Sequence, residues 1–257
     1  MLCREAGADG EQAAHALRHA CRSMDLLEAN TGGPIWLAVL SAQAAADPHA
    51  LDSGTLFLHL LAFCSDSEYP DSAELRDELY YAHGILCDSI SSTVSQVGLV
   101  LETENGEHPG FAQFRFRNEI CTLTLASLST FTGARNPVGR AYLVENEMVF
   151  TQLCDKADQF RAPLICTSGQ PSVAALRLLD LLADAGTALF YSGNLDGKGL
   201  SIAASLDDRY PGSLTPWHMT PEDYARCQSR VRPSLQPQLS MFLSPYRRGR
   251  LRRTQAR

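Results

Sequence analysis

The chain has 257 residues, a formal net charge of −7 and a hydrophobic share of 45%, within the range of an ordinary globular protein with one large or two average domains. The apolar runs at 35–40 and 55–63 fall far short of the ~20 residues needed to span a bilayer, and no apolar core of a signal peptide follows Met1–Glu5, so a cytoplasmic location is expected. Residues 247–257 hold six arginines and no acid; subtracting these six from −7 leaves −13 on the rest, which excludes nucleic-acid attraction by bulk charge.

The first third reads as helices. Residues 11–28 carry Ala14, Leu17, Ala20, Cys21, Met24 and Leu27 in a 3.6-residue stripe. Asn30-Thr31-Gly32-Gly33-Pro34 breaks it, and a second helix is predicted over 35–46. Asp52 or Ser53 is placed to cap a third helix ending near Phe63. Residues 66–71 read as a loop, after which Ser72 caps a fourth helix ending near Asp88. Short β-rich stretches follow at 97–101, 112–117 and 120–125, with a turn at 106–110. Ala126-Ser127-Leu128 feeds another helix, and 133–137 reads as a linker.

Beyond Arg140 the chain alternates. Strands are predicted at about 141–145, 163–167 and 187–192, and helices at 147–160, 171–185 and 200–206. This rhythm specifies a parallel sheet with right-handed crossovers, and the continuously apolar strands imply that both faces are covered. The expected class is α/β: a parallel sheet with flanking helices, preceded by a mainly helical α+β region. The expected domains are 1–135, 136–230 and a C-terminal extension with a basic tail at 231–257.

Parallel sheets bind ligands beyond the carboxyl ends of their strands. Those ends carry Glu145 and Asn146, then Thr167, Ser168 and Gln170, then Asn194 and Asp196. Such an oxygen-rich edge suits a hard cation such as Mg²⁺. The competing explanation is that Glu145 and Asp196 only cap the helices that follow them. Ser168 could cap the Pro171 helix or touch a phosphate, and Lys198 could contact a phosphate or be merely solvated. The eight scattered cysteines include no C-x-x-C pair, which argues against structural zinc. His15 and His19 share a helix face without the other parts of a zinc site. Trp217 and Tyr224 read as packing residues.

Val144-Glu145-Asn146-Glu147-x-Val149-Phe150 resembles the first motif of Toprim domains. Tyr191-Ser192-Gly193-Asn194-Leu195-Asp196-Gly197-Lys198-Gly199-Leu200 resembles the second, an Asp-x-Asp pair followed by glycine and a helix. With Pro163 to Pro171, Pro216-Trp217-His218-Met219 and an upstream Gly84-Ile85-Leu86-x-Asp88-x-Ile90-Ser91-Ser92-Thr93, the set is similar to a bacterial family encoded beside SMC-like ATPases. That family resembles the JetD nuclease subunit of Wadjet plasmid-defence systems and, more distantly, the topoisomerase VI A subunit. The resemblance covers about residues 80–225.

The resemblance implies a Toprim-like domain and a DNA nuclease dependent on Mg²⁺ (or Mn²⁺). Its implied partners are DNA and SMC-like ATPase subunits, with a homodimer among the expected assemblies. It makes Glu145 and Asp196 catalytic and Glu145, Asn194 and Asp196 the metal ligands. Weaker phosphate contacts are expected at Ser168, Gln170, Lys198, Arg247, Arg248 and Arg250. The family's first acid of the pair is replaced by Asn194, which offers one neutral oxygen instead of two anionic ones. With the short front and the arginine-rich end, this implies a truncated or degenerate member. Two alternatives stay open: a catalytically impaired DNA-binding or assembly module of the same fold, and a small-molecule phosphate enzyme on an α/β sheet.

Overall fold

The computed structural model describes residues 10–52, 56–156 and 162–227. The described residues divide into two compact units, on either side of the Ser89–Ile90 bond.

The first unit is mainly helical. It comprises α1 (Gly10–Glu28), β1 (Ile35–Trp36), α2 (Leu37–Ala45), α3 (Leu56–Cys64), α4 (Ala73–Ala82) and β2 (Ile85–Leu86). Its core gathers Leu40, Leu51, Phe57, Leu58, Leu61 and Tyr80, all essentially inaccessible. The Tyr80 hydroxyl donates to the Leu51 carbonyl, so burial of this ring leaves no polar atom stranded. Ser72 caps α4 as expected, accepting from the Leu75 amide. Two expectations are corrected. The helix predicted from Ile35 starts at Leu37, because Ile35 and Trp36 pair in parallel with Ile85 and Leu86. The same pairing ends α4 at Ala82 instead of Asp88, helped by Gly84 at φ +72°. The predicted cap of α3 at Ser53 lies outside the described residues.

The second unit is built on a six-stranded sheet. Its strands are β3 (Thr93–Val97), β6 (Cys121–Thr124), β8 (Arg140–Val144), β9 (Leu164–Cys166), β10 (Ala188–Ser192) and β11 (Leu214–Pro216), in the order β11-β10-β8-β9-β3-β6. The four strands β11, β10, β8 and β9 are mutually parallel, while β3 and β6 add antiparallel pairs at one side. Helices α7 (Glu147–Cys154), α8 (Val173–Asp184) and α9 (Gly197–Arg209) make the crossovers, and α10 (Pro221–Cys227) follows β11. A second sheet joins β4 (Val100–Thr103), β5 (Gly106–Glu107) and β7 (Gly133–Arg135), and the short helix α6 (Leu125–Leu128) follows β6.

Both faces of the parallel strands are covered. Val144, Leu164 and Cys166 pack with Phe150 of α7. The alternate residues Ala141, Leu143 and Ile165 are fully buried on the other face. The three predicted strands are thus parallel members of one sheet, with β8 between the other two. The unit begins at residue 90, ahead of the boundary expected near 135, because β3 and β6 complete the same sheet.

Four local expectations change here. The stretch at 112–117 is part of helix α5 (Pro109–Phe116), not a strand: Pro109 opens it, and His108 Nδ1 accepts from the Gly110 and Phe111 amides. The expected strand at 97–101 is divided by Gly98 (φ +87°) between β3 and β4. The supposed linker at 133–137 contains β7, which pairs with β4 through Val100↔Arg135 and Leu101↔Ala134. Helix α7 stops at Cys154, and residues 157–161 lie outside the description. No described helix is long and apolar enough to cross a membrane.

Candidate acidic site at the sheet edge

The register sets the site. Val144 at the end of β8 lies opposite Ser192 of β10 on one side and Cys166 of β9 on the other. The next residues of all three strands therefore emerge together at one edge. The Glu145 amide donates to the Ser192 carbonyl at 3.2 Å, and its carbonyl accepts from the Gly169 amide at 3.0 Å. Its backbone is thus held from both neighbouring strands.

The Glu145 side chain turns toward β10. It is 6% exposed. Oε2 accepts from the Asn194 backbone amide at 2.8 Å and Oε1 from Asn194 Nδ2 at 3.2 Å. Among the described residues, neither Glu145 nor Asp196 forms a salt bridge. The helix-cap explanation fails for Glu145, because Asn146 caps α7 by accepting from the Met148 and Val149 amides. It holds for Asp196, whose Oδ1 accepts from the Gly199 amide at 2.8 Å as the N-cap of α9. Its Oδ2 has no hydrogen-bond partner among the described residues.

Two residues that sequence reading passed over complete the site. Tyr191 is fully buried, and its hydroxyl finds no hydrogen-bond partner among the described residues. Its ionisation is pushed far above the ordinary tyrosine range by burial and then by the negative charges of Glu145 and Asp196. Gly193 is the second: a Cβ there would stand 2.7 Å from the Tyr191 hydroxyl and 2.8 Å from Glu145 Oε2. Only glycine lets these oxygens pack against the backbone. The Gly193 amide points at Met219 Sδ, 3.3 Å away. The signal for both residues lay in the Tyr191-to-Leu200 motif, where Tyr191 passes for an ordinary apolar strand residue.

The remaining predicted contacts are dispersed. Ser168, at φ +54°, is exposed and lies 3.6 Å from Cys166 Sγ. It does not cap α8; Ser172 does, through the Ala175 amide. Gln170 is half-buried beside it, and Lys198 is exposed in the first turn of α9. Arg247, Arg248 and Arg250 lie outside the described residues. Trp217 packs on Tyr142 with ring centroids 4.8 Å apart, as a packing residue should. His15 and His19 meet edge to face at 5.3 Å. Among the described residues, no three His, Cys, Asp or Glu side chains form a metal-holding group. A cation at this edge would rest on two acids and the amide oxygen of Asn194. These are hard oxygen donors that suit one Mg²⁺ supplemented by water.

No curated protein matches the chain. Two family models do. Residues 1–101 match one described as "Protein of unknown function N-terminus (DUF3323)". Residues 121–242, which include Glu145, Tyr191, Gly193, Asn194 and Asp196, are similar to the family described as "Protein of unknown function C-terminus (DUF2399)".

Proposed function

We propose that the chain is a metal-dependent DNA nuclease subunit with Toprim-type phosphodiester chemistry, acting within an SMC-like anti-plasmid defence complex. One observation carries this reading: Glu145 is a buried carboxylate without a cationic partner among the described residues, and the Asn194 that holds it lies two residues before a second acid, Asp196. A buried carboxylate calls for compensating positive charge. The Glu145 carboxylate, Asn194 Oδ1 and Asp196 Oδ2 would hold Mg²⁺ or Mn²⁺. When bound, the ion would polarise a phosphoryl oxygen and acidify a water. The chain's own part is to keep Glu145 oriented by the Asn194 amide and to aim Asp196 from the start of α9. The paired matches to an N-terminal and a C-terminal family model are consistent with a JetD-like architecture.

A second reading also has an observation behind it. Both Glu145 oxygens already accept hydrogen bonds from Asn194. That arrangement favours a catalytically impaired module that holds DNA or its partner subunits without cutting. Incubating supercoiled plasmid with the purified full-length protein in Mg²⁺, Mn²⁺ or EDTA tests both. Cation-dependent nicking that disappears in Glu145→Gln is the expected result. DNA retained but uncut supports the second reading, and cleavage that persists in EDTA or in Glu145→Gln overturns the first.

A further inference from the structure

The loop that follows β11 brings a histidine to the same sheet edge. This loop is pinned to β10 at two points. The Trp217 amide donates to the Tyr191 carbonyl at 2.6 Å, and the Gly193 amide meets Met219 Sδ at 3.3 Å. Gly193 is also the residue whose absent Cβ would stand 2.8 Å from Glu145 Oε2. His218 sits between the two pins. Because β10 lies between β11 and β8, two strand spacings, about 10 Å, separate the ends of the strands that lead to His218 and Glu145.

The backbone of His218 is held at φ +54°, a left-handed state that costs a side-chain-bearing residue free energy and persists where the surroundings impose it. Ser168 has the same φ two residues beyond β9, as His218 has two residues beyond β11. Left-handed residues thus flank, on both sides, the strand ends that carry Glu145 and Asp196.

The His218 side chain is 62% exposed, yet its ring is oriented. Nδ1 lies 3.7 Å from Asp223 Oδ1, and the ring packs on Trp217 with centroids 4.5 Å apart. Asp223 is itself fixed: Oδ2 accepts from the Thr220 amide at 3.1 Å and from its hydroxyl at 2.8 Å, and Arg226 reaches Oδ1 at 4.0 Å. Nε2 has no hydrogen-bond partner among the described residues, and His218 belongs to no metal-holding group there. With Nδ1–H turned to a carboxylate, the charged ring has Nε2–H to donate to a second anion.

We propose that His218 binds a backbone phosphate of a DNA strand laid across this edge, an assignment that rests on the reading of the edge as a DNA site. It stands too far from Glu145 to share the reacting phosphate, so it takes a neighbouring one. Such contacts set the register and orientation of a strand without reading its bases. They also supply positive charge where the strand must pass acidic side chains.

Anisotropy titrations of a fluorescein-labelled DNA duplex with the full-length protein, in EDTA over a range of salt and at mildly acid pH where imidazoles carry charge, test this. Plasmid nicking in Mg²⁺ is measured alongside. His218→Gln should weaken DNA binding about three- to tenfold and reduce the salt slope by about one, without lowering the melting temperature. His218→Lys, which returns a cation, should recover both. His218→Asn, better suited to a left-handed backbone, serves in place of His218→Gln if the latter does not fold. The same loss on DNA that is held but not cut supports the phosphate contact and counts against the chemistry at Glu145. Unchanged affinity and salt slope in the neutral variant, or no recovery in His218→Lys, would overturn the His218 assignment while leaving any Glu145-dependent nicking intact. Absence of DNA binding by the wild type would overturn both.

Discussion

Asn194 grips Glu145 with two donors, its backbone amide on Oε2 at 2.8 Å and its side-chain Nδ2 on Oε1 at 3.2 Å. The residue that breaks the Asp-x-Asp pattern therefore has a structural occupation. It supplies hydrogen to a carboxylate that is otherwise without a charged partner among the described residues.

Replacing it with aspartate should make stability depend on a cation. Asn194→Asp exchanges the Nδ2 donor for a carboxylate facing Glu145, at a cost of about 1–3 kcal/mol without metal. Melting in EDTA should fall by several degrees, and added Mg²⁺ should restore it, because a third acid strengthens cation binding. The proposed function also requires higher nicking activity in this variant. Identical melting with and without Mg²⁺ would count against a cation at this edge.

Under the proposed function Asp196 has a second duty beside its cap of α9. Asp196→Ser keeps an oxygen for the Gly199 amide but removes the charge, so melting should stay near wild type while Mg²⁺ affinity drops. Asp196→Ala loses the cap as well and should cost about 0.5–2 kcal/mol. If both variants retain the wild-type Mg²⁺ affinity, Asp196 is a cap and nothing more.

Gly193→Ala should displace either Glu145 or the Tyr191 ring, since its Cβ would come within 2.8 Å of both oxygens. The expected loss is about 1–3 kcal/mol, together with any cation-dependent activity. Gly199→Ala should be worse, because its Cβ would approach the Asn194 carbonyl far inside contact distance and neither backbone segment can yield cheaply. Urea denaturation of the two variants gives the ranking.

His83 makes the first unit sensitive to acid. Its Nε2 lies 2.6 Å from Ser65 Oγ, and burial holds its pKa below the ordinary 6.5. A depressed folded-state pKa means that the stabilisation is present above 6.5 and drains away as the pH falls through the folded value. Melting temperature should therefore decline below pH 6.5, and His83→Gln should flatten that decline. A parallel decline in wild type and variant would assign the effect to other groups.

The parallel strands were legible because Ala141, Leu143, Val144, Leu164, Ile165 and Leu189 are apolar without alternation, as burial on both faces demands. The acidic edge followed from that alone, since a strand end is a place the chain itself marks. Helix α5 was not legible as a helix: Phe114-Arg115-Phe116 alternates like a strand, and its helical state rests on Pro109, the His108 cap and the Arg115–Glu107 pair. Strand β7 is three residues, Gly-Ala-Arg, with no intrinsic strand character; it exists through a ladder to β4 some thirty residues earlier. Tyr191 could be placed in its strand, but nothing local reveals that its hydroxyl ends beside Glu145 with no partner among the described residues.

The start of α8 is stitched to the start of β3. Ser172 Oγ donates to the Thr93 carbonyl at 2.8 Å, and the Ala174 amide donates to Ser92 Oγ at 3.0 Å. A recombinant fragment cut at residue 121, where the C-terminal family match begins, would delete both partners. It would also strip β3 from β9 and leave the apolar edge Leu164-Ile165-Cys166 open to neighbouring molecules, a template for aggregation. A fragment meant to isolate the acidic edge should start no later than residue 90, so that Ser92 and Thr93 travel with the helix they anchor.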